Sequence, residues 1–425
     1  MLVTLLFVTF AVCLILGTPV GIALGLAGAV YLIGADIDLS VVAQYSYAGM
    51  DSFVLLCIPG FVLAGNLMNG GGITDQIVRF GNSLVGHIRG GLGLANVTGS
   101  MIFAGISGTA VAETASIGSV MIPAMRRAGY DAPFAAAVTA AASTVGPIIP
   151  PSVPMIIVGT LSGLSVGKMF LAGAIPGLLM GLGMMLTVYI ISRRRNYPKG
   201  QWAGFSEVLR SSRGAFWALL MTAVILYGIV GGLFTPTEAS VVASLYAFVV
   251  GLFVYKGFKL RHVPAILLES AIGSGALILL VGLANVFGWI LTSEQIPQAI
   301  AQAMLSVTEN KFLILLMVNI LLLIVGTFME TIAALIILFP PLLAVATAVG
   351  IDPIHFAIVV VLNLMIGLTT PPVGVCLFVA ANIAKVSLGS VSKAIIPFLI
   401  CNIIVLFLVS YIPAISLWLP SIYFK

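Results

Sequence analysis

The sequence predicts an all-α polytopic membrane protein, arranged as an inverted repeat with two re-entrant hairpins and two interrupted helices. Three observations predict it. First, 61% of the 425 residues are hydrophobic and only 7% are charged, too few charges for the surface of a water-soluble domain this size. Second, the apolar runs are continuous and repeatedly reach the roughly 20 residues that cross a bilayer as a helix, where a β-barrel would alternate. Third, one glycine-rich, polar-spotted stretch occurs twice. Its first copy reads GISGTAVAETASIG from Gly105, IPAMRRAGYDAP from Ile122 and GPIIPPSVP from Gly146. Its second reads GTFMETIAAL from Gly326, FPPLLAVATAVGIDP from Phe339 and GLTTPPVGV from Gly367. Glu113, Thr114 and Pro123 match Glu330, Thr331 and Pro340 at one offset. Gly129, Asp131, Gly146, Pro150 and Pro151 match Gly350, Asp352, Gly367, Pro371 and Pro372 at an offset about one helical turn longer.

The remaining composition excludes other classes. The net charge of +5 comes from basic residues in short loops, which fits the positive-inside bias better than nucleic-acid binding. Cys13, Cys57, Cys376 and Cys401 lie in apolar runs, so neither disulfides nor metal knuckles are expected. The amino terminus lacks a charged leader region and reads as a first membrane helix.

In chain order, residues 2–33 read as one span and residues 53–68 as a second, kinked at Pro59-Gly60. In residues 73–89, Ile73, Ile77, Phe80, Leu84 and Ile88 recur at helical spacing, with Asp75, Arg79 and His87 between them. That pattern suits a helix lying in the interface. Residues 91–125 are flanked by Arg89 on one side and by Arg126 and Arg127 on the other. The segment is short for two crossings and long for one, so it reads as a re-entrant hairpin with its tip near residues 107–115. Such a tip is tolerated at membrane depth only inside protein or against a cavity.

Residues 133–165 form a span interrupted at 146–154, where Pro147, Pro150, Pro151 and Pro154 remove backbone donors and leave carbonyls free. The next span ends at Arg193-Arg194-Arg195, the strongest cytoplasmic signal in the chain. Residues 1–195 thus form the first repeat and residues 196–236 a linker with a connector span. Residues 237–425 form the second repeat: an interfacial helix at 296–307, a hairpin at 312–349, an interrupted span at 354–384 and a last span at 394–419. The two histidines His262 and His355, like His87, fall at predicted edges and read as interfacial.

The polar groups point to transport. Two broken segments of this kind usually flank a binding site at mid-membrane, where half-helix ends and freed carbonyls hold ions. Gly146–Pro150 and Gly367–Pro371 supply that backbone. Ser107, Thr109, Ser143 and Thr144 supply hydroxyls in one half, and Thr327, Thr369 and Thr370 in the other. Two sites for a small cation follow, one per half. The spacing fits sodium without identifying it. Protons are the rival, with Glu113 and Glu330 as carriers, unless each glutamate only ties down its hairpin tip. Asn363 reads equally as a ligand or an interhelical hydrogen bond. The half-helix ends at the tips would serve an anion. Gly105-Ile106-Ser107-Gly108 fits the GxSG of intramembrane serine proteases, but a membrane-embedded histidine base is not evident. No HExxH, Walker A or CxxC pattern supports an enzyme.

At these motifs, GISGTAVAETASIGSVMIPAM with the following GYD, GPIIPPS, GTFMET and GLTTPPVGV, the sequence resembles the large membrane subunit of the TRAP (tripartite ATP-independent periplasmic) transporters. It is similar to the sialic acid branch, while dicarboxylate carriers share most signatures. The resemblance covers essentially the whole chain. It implies a secondary transporter rather than an enzyme, in the bacterial inner membrane, with hairpins and broken helices moving as an elevator against a scaffold. Co-transported sodium ions drive uptake of an organic acid anion, and the partners are a small four-helix membrane subunit and a periplasmic binding protein. Ser107, Thr109 and Glu330 are then the expected substrate contacts, with Glu113 and Asn363 beside them. Sodium is expected at tip and break: Ser107, Ser143, Gly146 and Pro150 in one half, and Gly326, Thr327, Gly367 and Thr370 in the other.

Overall fold

A computed structural model describes residues 2–107, 109–202 and 204–424, with the side chains of residues 105–107 and 301 outside the description. Among the described residues the regular structure is helical, and nine helical stretches are long and apolar enough to cross a membrane.

The stretch expected as one first span is two helices, α1 (Leu2–Ile15) and α2 (Val20–Gly34). They fold back on each other, and a Cβ at Gly34 would lie 3.0 Å from Leu2 Cδ2. The reversal has a local cause. Gly17 adopts φ +80°, open to glycine and strained for other residues, and Pro19 has no N–H with which to continue α1. Next come α3 (Ser40–Met50), which the periodicity did not announce, and α4 (Cys57–Gly70), which follows a 3₁₀ turn. The expected interfacial helix is α5 (Ile73–Val85), with Ile73 and Ile77 buried and Asp75 and Arg79 on its outer side.

The first hairpin pairs α6 (Gly91–Ser107) with α7 (Ala110–Arg127). The first interrupted span is α8 (Ala132–Ser143), a 3₁₀ turn at Gly146–Ile148, and α9 (Val153–Ser162). Helix α10 (Val166–Arg194) follows, then α11 (Phe205–Val230), which starts inside the expected polar linker, where Arg79 of α5 pairs with Glu207 at 2.6 Å. Helix α12 (Pro236–Val249) opens on a capping box between Thr235 and Glu238 and closes in a π-turn.

In the second half, α13 (Val263–Ser293) leads to α14 (Ile296–Val307), at the place of the expected interfacial helix. The second hairpin is α15 (Lys311–Phe328) with α16 (Thr331–Ala348), and the second interrupted span is α17 (Pro353–Gly367) with α18 (Val375–Ala384). The expected last span divides at Pro413 into α19 (Leu388–Tyr411) and α20 (Ala414–Tyr423).

Helices α1–α4 and α11–α13 pack into a frame, with α13 against α2, α3 and α4, and α12 against both α4 and α11. The hairpins and interrupted spans form a second group, in which α8 and α17 are buried along nearly their whole length. A helix apolar all round belongs at such a centre. The two halves interlock there. Helix α18 of the second half packs on α7 and α8 of the first, and α9 of the first packs on α16 and α17 of the second. Gly118 of α7 receives Ile383 of α18, and Arg126 Nη1 donates to the Ala384 carbonyl at 3.0 Å.

Candidate functional site: two hairpin tips against two helix breaks

In each half, a hairpin tip meets the break of the neighbouring helix. Helix α7 carries Glu113 about one turn beyond its N-cap Thr109, and the carboxyl group presses on the first break. A Cβ added at Gly146 would lie 2.0 Å from Glu113 Oε2, so any larger residue there would displace the carboxyl group. Glu113 is fully buried and neither oxygen makes a hydrogen bond of normal geometry. The Ser100 hydroxyl stands within electrostatic reach of it, equally without a well-formed partner. A carboxyl group so placed needs either a proton on it or a cation beside it.

The neighbouring hydroxyls are concentrated. Thr114 and Ser143 oxygens lie 2.5 Å apart, and each also approaches a carbonyl of its own helix. The Cys376 thiol arrives from α18 of the other half, within reach of both hydroxyls. Sequence reasoning did not single out Ser100 or Cys376 here, because only tertiary packing brings them to Glu113. Pro150 is buried, joined to Pro151 by a cis peptide, as Pro371 is to Pro372 in the second half. Ser152 stitches this break: its hydroxyl donates to the Pro147 carbonyl and caps α9 by accepting from Met155 N.

The second half has the same plan with different chemistry. Backbone meets backbone: a Cβ at Gly367 would fall 2.6 Å from both the Cα and the carbonyl carbon of Gly326. Thr327 donates to the Ile324 carbonyl at 2.7 Å and Thr370 to that of Ile366 at 2.8 Å. Hydroxyls whose protons are used this way keep lone pairs for a cation. Glu330 is the N-cap of α16, its Oε2 accepting from Ile332 N at 2.8 Å and Ala333 N at 3.2 Å. The two matched glutamates therefore differ: Glu330 ties down its tip, while Glu113 sits inside its helix and faces the break.

Asn363 of α17 donates to both the backbone and side-chain oxygens of Asn319 on α15, each at 3.0 Å. That leaves its buried Oδ1 without a hydrogen bond. The chain continues from Asn319 to Ser410 and from the Ser410 carbonyl to His355, whose Nδ1 meets Ser416 at 2.8 Å. His355, expected at a span edge, is held inside the protein. It is buried because α19 and α20 close over the start of α17.

The side chain of Ser107 lies outside the described residues, as does the rest of the GxSG stretch. Thr109 lines a cavity of about 70 Å³ with Asn66, Asn69 and Ser116. There Asn69 Oδ1 accepts from Ser116 at 2.6 Å and from Thr74 at 3.1 Å, joining the first hairpin to α4 and α5. Neither Asn66 nor Asn69 stood out in the sequence, since single amides in an apolar helix carry no periodic signal.

At the foot of the first hairpin, Arg195 Nη1 and the Tyr197 hydroxyl both donate to Asp131 Oδ2, at 2.8 and 2.6 Å. The Tyr197 contact holds the Arg195 guanidinium above its ordinary value, and burial pushes the Tyr197 phenol up. Burial also pushes Tyr130 up to about 12. The following residues strap the hairpin to α5: Gly90 N donates to the Pro198 carbonyl at 3.2 Å, and Arg89 pairs with Lys199 in an isolated antiparallel bridge.

Residues 7–415 match the family described as the DctM component of the tripartite ATP-independent periplasmic transporter. The chain is 42% identical over 408 residues to the sialic acid TRAP transporter large permease protein of Vibrio cholerae, covering 96% of each. It is 42% identical over 400 residues to the C4-dicarboxylate TRAP transporter large permease protein of Pseudomonas aeruginosa, covering 94% of each. Identity to the isethionate TRAP transporter permease protein of Oleidesulfovibrio alaskensis is 41%, over 97% of this chain and 65% of that longer one. Among solved structures, the fold is similar to the Alcanivorax borkumensis YdaH transporter. The TM-score is 0.62 at 16% identity, covering 90% of this chain and 88% of that one.

Proposed function

The chain belongs to the DctM family of tripartite ATP-independent periplasmic transporters, and from that premise we propose that it imports a small organic acid anion by sodium-coupled alternating access. It is a multi-pass protein of the bacterial inner membrane. In our reading it is the large membrane subunit. It works with a small four-helix membrane subunit and receives its substrate from a periplasmic binding protein. The hairpins and interrupted helices move as one elevator body against the frame, with α5 and α14 as bracing arms.

The observation that carries this reading is the meeting of each tip with a break, Glu113 against Gly146 and Gly326 against Gly367. Freed carbonyls, hydroxyl lone pairs and an unpaired carboxyl group suit a weakly held, dehydrated monovalent cation. Sodium would lie at Ser143, Gly146 and Pro150 in the first half and at Gly326, Thr327, Gly367 and Thr370 in the second, with Ser107 completing the first. Substrate contact would fall to Ser107, Thr109, Glu113, Glu330 and Asn363, around the positive half-helix ends. Sialic acid is the substrate we put first. A C4-dicarboxylate is the second reading, favoured by relatives of equal identity.

The test is uptake into proteoliposomes holding this chain with its small subunit and binding protein, with and without an inward sodium gradient. Sodium-dependent accumulation of labelled sialic acid supports the reading. Accumulation of succinate instead keeps the mechanism and changes the substrate. Equilibration without accumulation under every gradient overturns it in favour of a channel.

A further inference from the structure

A cavity of about 290 Å³ lies at the foot of the first hairpin, on the side that Arg126, Arg127 and the arginines at the end of α10 mark as cytoplasmic. The volume is at the low end of small-molecule pockets. Four pieces of chain line it: the end of α5 at Asn82, the start of α6 at Gly91 and Leu92, the turn after α7 at Tyr130, and the linker at Lys199. The straps that tie the hairpin to α5 run beside it, from Gly90 N to the Pro198 carbonyl and from Arg89 to Lys199.

These pieces bring donors of hydrogen bonds. Helix α6 has 17 residues, and Gly90 before it has no side chain with which to cap the first amides. Those amides carry the positive end of the helix dipole. Tyr130 is only 5% exposed, and its hydroxyl stands within electrostatic reach of the Leu92 and Gly93 amides. Its ring packs on Tyr197 at 4.6 Å and on Phe134 at 6.3 Å, which fixes where the hydroxyl points. Because its neighbours there are N–H groups, the phenol oxygen accepts and its own proton is left for a ligand. Lys199 is in no ion pair among the described residues, and neither is Arg89. No carboxylate is among the residues lining the cavity. Asp131, next to Tyr130, is already held by Arg195 and Tyr197.

We propose that this cavity binds a phosphate group from the cytoplasmic side, its oxygens taken by the first amides of α6, the Tyr130 hydroxyl and the Lys199 ammonium. This goes beyond the transport reading, since the ligand is held and not carried, and it is independent of which substrate or ion moves. A phosphate presents at least three acceptor oxygens to donors that converge from three pieces of chain, where a planar carboxylate presents two. Once bound, it joins the linker and the turn after α7 to the start of α6. It therefore holds the foot of the hairpin against α5, beside the two straps. The same chemistry comes from a soluble phosphate monoester or from the headgroup of an anionic phospholipid.

The experiment titrates the full chain, in phosphatidylcholine nanodiscs, with inorganic phosphate and with glycerol phosphate in a calorimeter. Melting temperatures are measured beside it, in phosphate and in chloride of equal ionic strength. Saturable binding is expected, weakened about tenfold in Tyr130→Phe and in Lys199→Gln, since each removes one hydrogen bond to a charged group. The melting temperature of the wild type rises with phosphate, and those of the two variants rise less. Lys168→Gln, at the other end of α10, binds as the wild type does. In phosphatidylglycerol nanodiscs, a persisting titration assigns the site to a soluble phosphate. Its loss there, with a gain in melting temperature that Lys199→Gln lacks, assigns the site to the headgroup. No saturable binding in phosphatidylcholine overturns the proposal. Equal stabilisation of the wild type and both variants also overturns it, because phosphate excluded from protein surfaces stabilises any fold alike. Should Tyr130→Phe fail to fold, Lys199→Gln decides alone, its side chain being on the surface.

Discussion

Asp131 and Asp352 occupy matched positions at the feet of the two hairpins, yet they hold different things. Asp131 accepts from the Arg195 guanidinium at 2.8 Å, an ion pair with both side chains about half exposed. Asp352 caps α17, its Oδ1 accepting from Ile354 N at 2.8 Å and His355 N at 3.0 Å. The difference predicts unequal costs of removal. Asp352→Ala loses about 1 kcal/mol of stability, the usual effect of an N-cap. Asp131→Asn loses less, about 0.5 kcal/mol, because an exposed pair is screened by solvent. Thermal unfolding in detergent separates them, and a larger loss at Asp131 contradicts the assignment.

The clamp around Asp131 has a defined pH window. Burial raises the phenols of Tyr197 and Tyr130 above the ordinary value of 10.0, Tyr130 to about 12. A phenol that keeps its proton longer when folded contributes stability that is complete below pH 10 and is lost as pH rises toward the folded value. The foot of the first hairpin is therefore expected to hold through neutral pH and loosen from about pH 10 to 12. Tyrosinate absorbance during alkaline titration checks this, with Tyr197→Phe and Tyr130→Phe assigning the late steps.

Gly367→Ala sets a methyl group against the backbone of Gly326, which cannot rotate away. Overpacking of this kind costs about 1–3 kcal/mol, and uptake is expected to fall with it. Gly389→Ala is the control, since a Cβ there meets nothing within 4 Å. Equal melting temperatures for the two variants would show that the second tip and break are not in contact.

Glu113→Gln removes a buried carboxyl group that has no hydrogen bond of normal geometry. Stability is expected to hold or rise, because no buried charge remains to be neutralised. Sodium-driven uptake is expected to fall by about tenfold or more, because a carboxyl group of the proposed substrate contacts is lost at the first tip and break. Unchanged uptake in Glu113→Gln removes this residue from the transport site.

The interrupted spans were readable because proline and glycine act locally. Pro147, Pro150 and Pro151 cannot donate backbone hydrogen bonds in any tertiary setting, and the same holds for Pro371 and Pro372. The α1–α2 turn was equally local, at Gly17 and Pro19, but uninterrupted hydropathy around it concealed the reversal. Helix α3 and the start of α11 were not legible, since both lie against partners distant in sequence: α3 against α13, and α11 against α5.

What the sequence determined by itself is the class, the repeat and the positions of both tips and both breaks, because composition and backbone-restricting residues act without knowledge of neighbours. What only the tertiary structure decided is which groups those tips face. Glu113 and Glu330 are matched in sequence, yet one caps its helix and the other is driven onto Gly146. Cys376, far along the chain, reaches Thr114 and Ser143 because the two halves exchange their broken helices. Contacts between residues so distant in sequence are fixed by packing in three dimensions, and no local pattern records them.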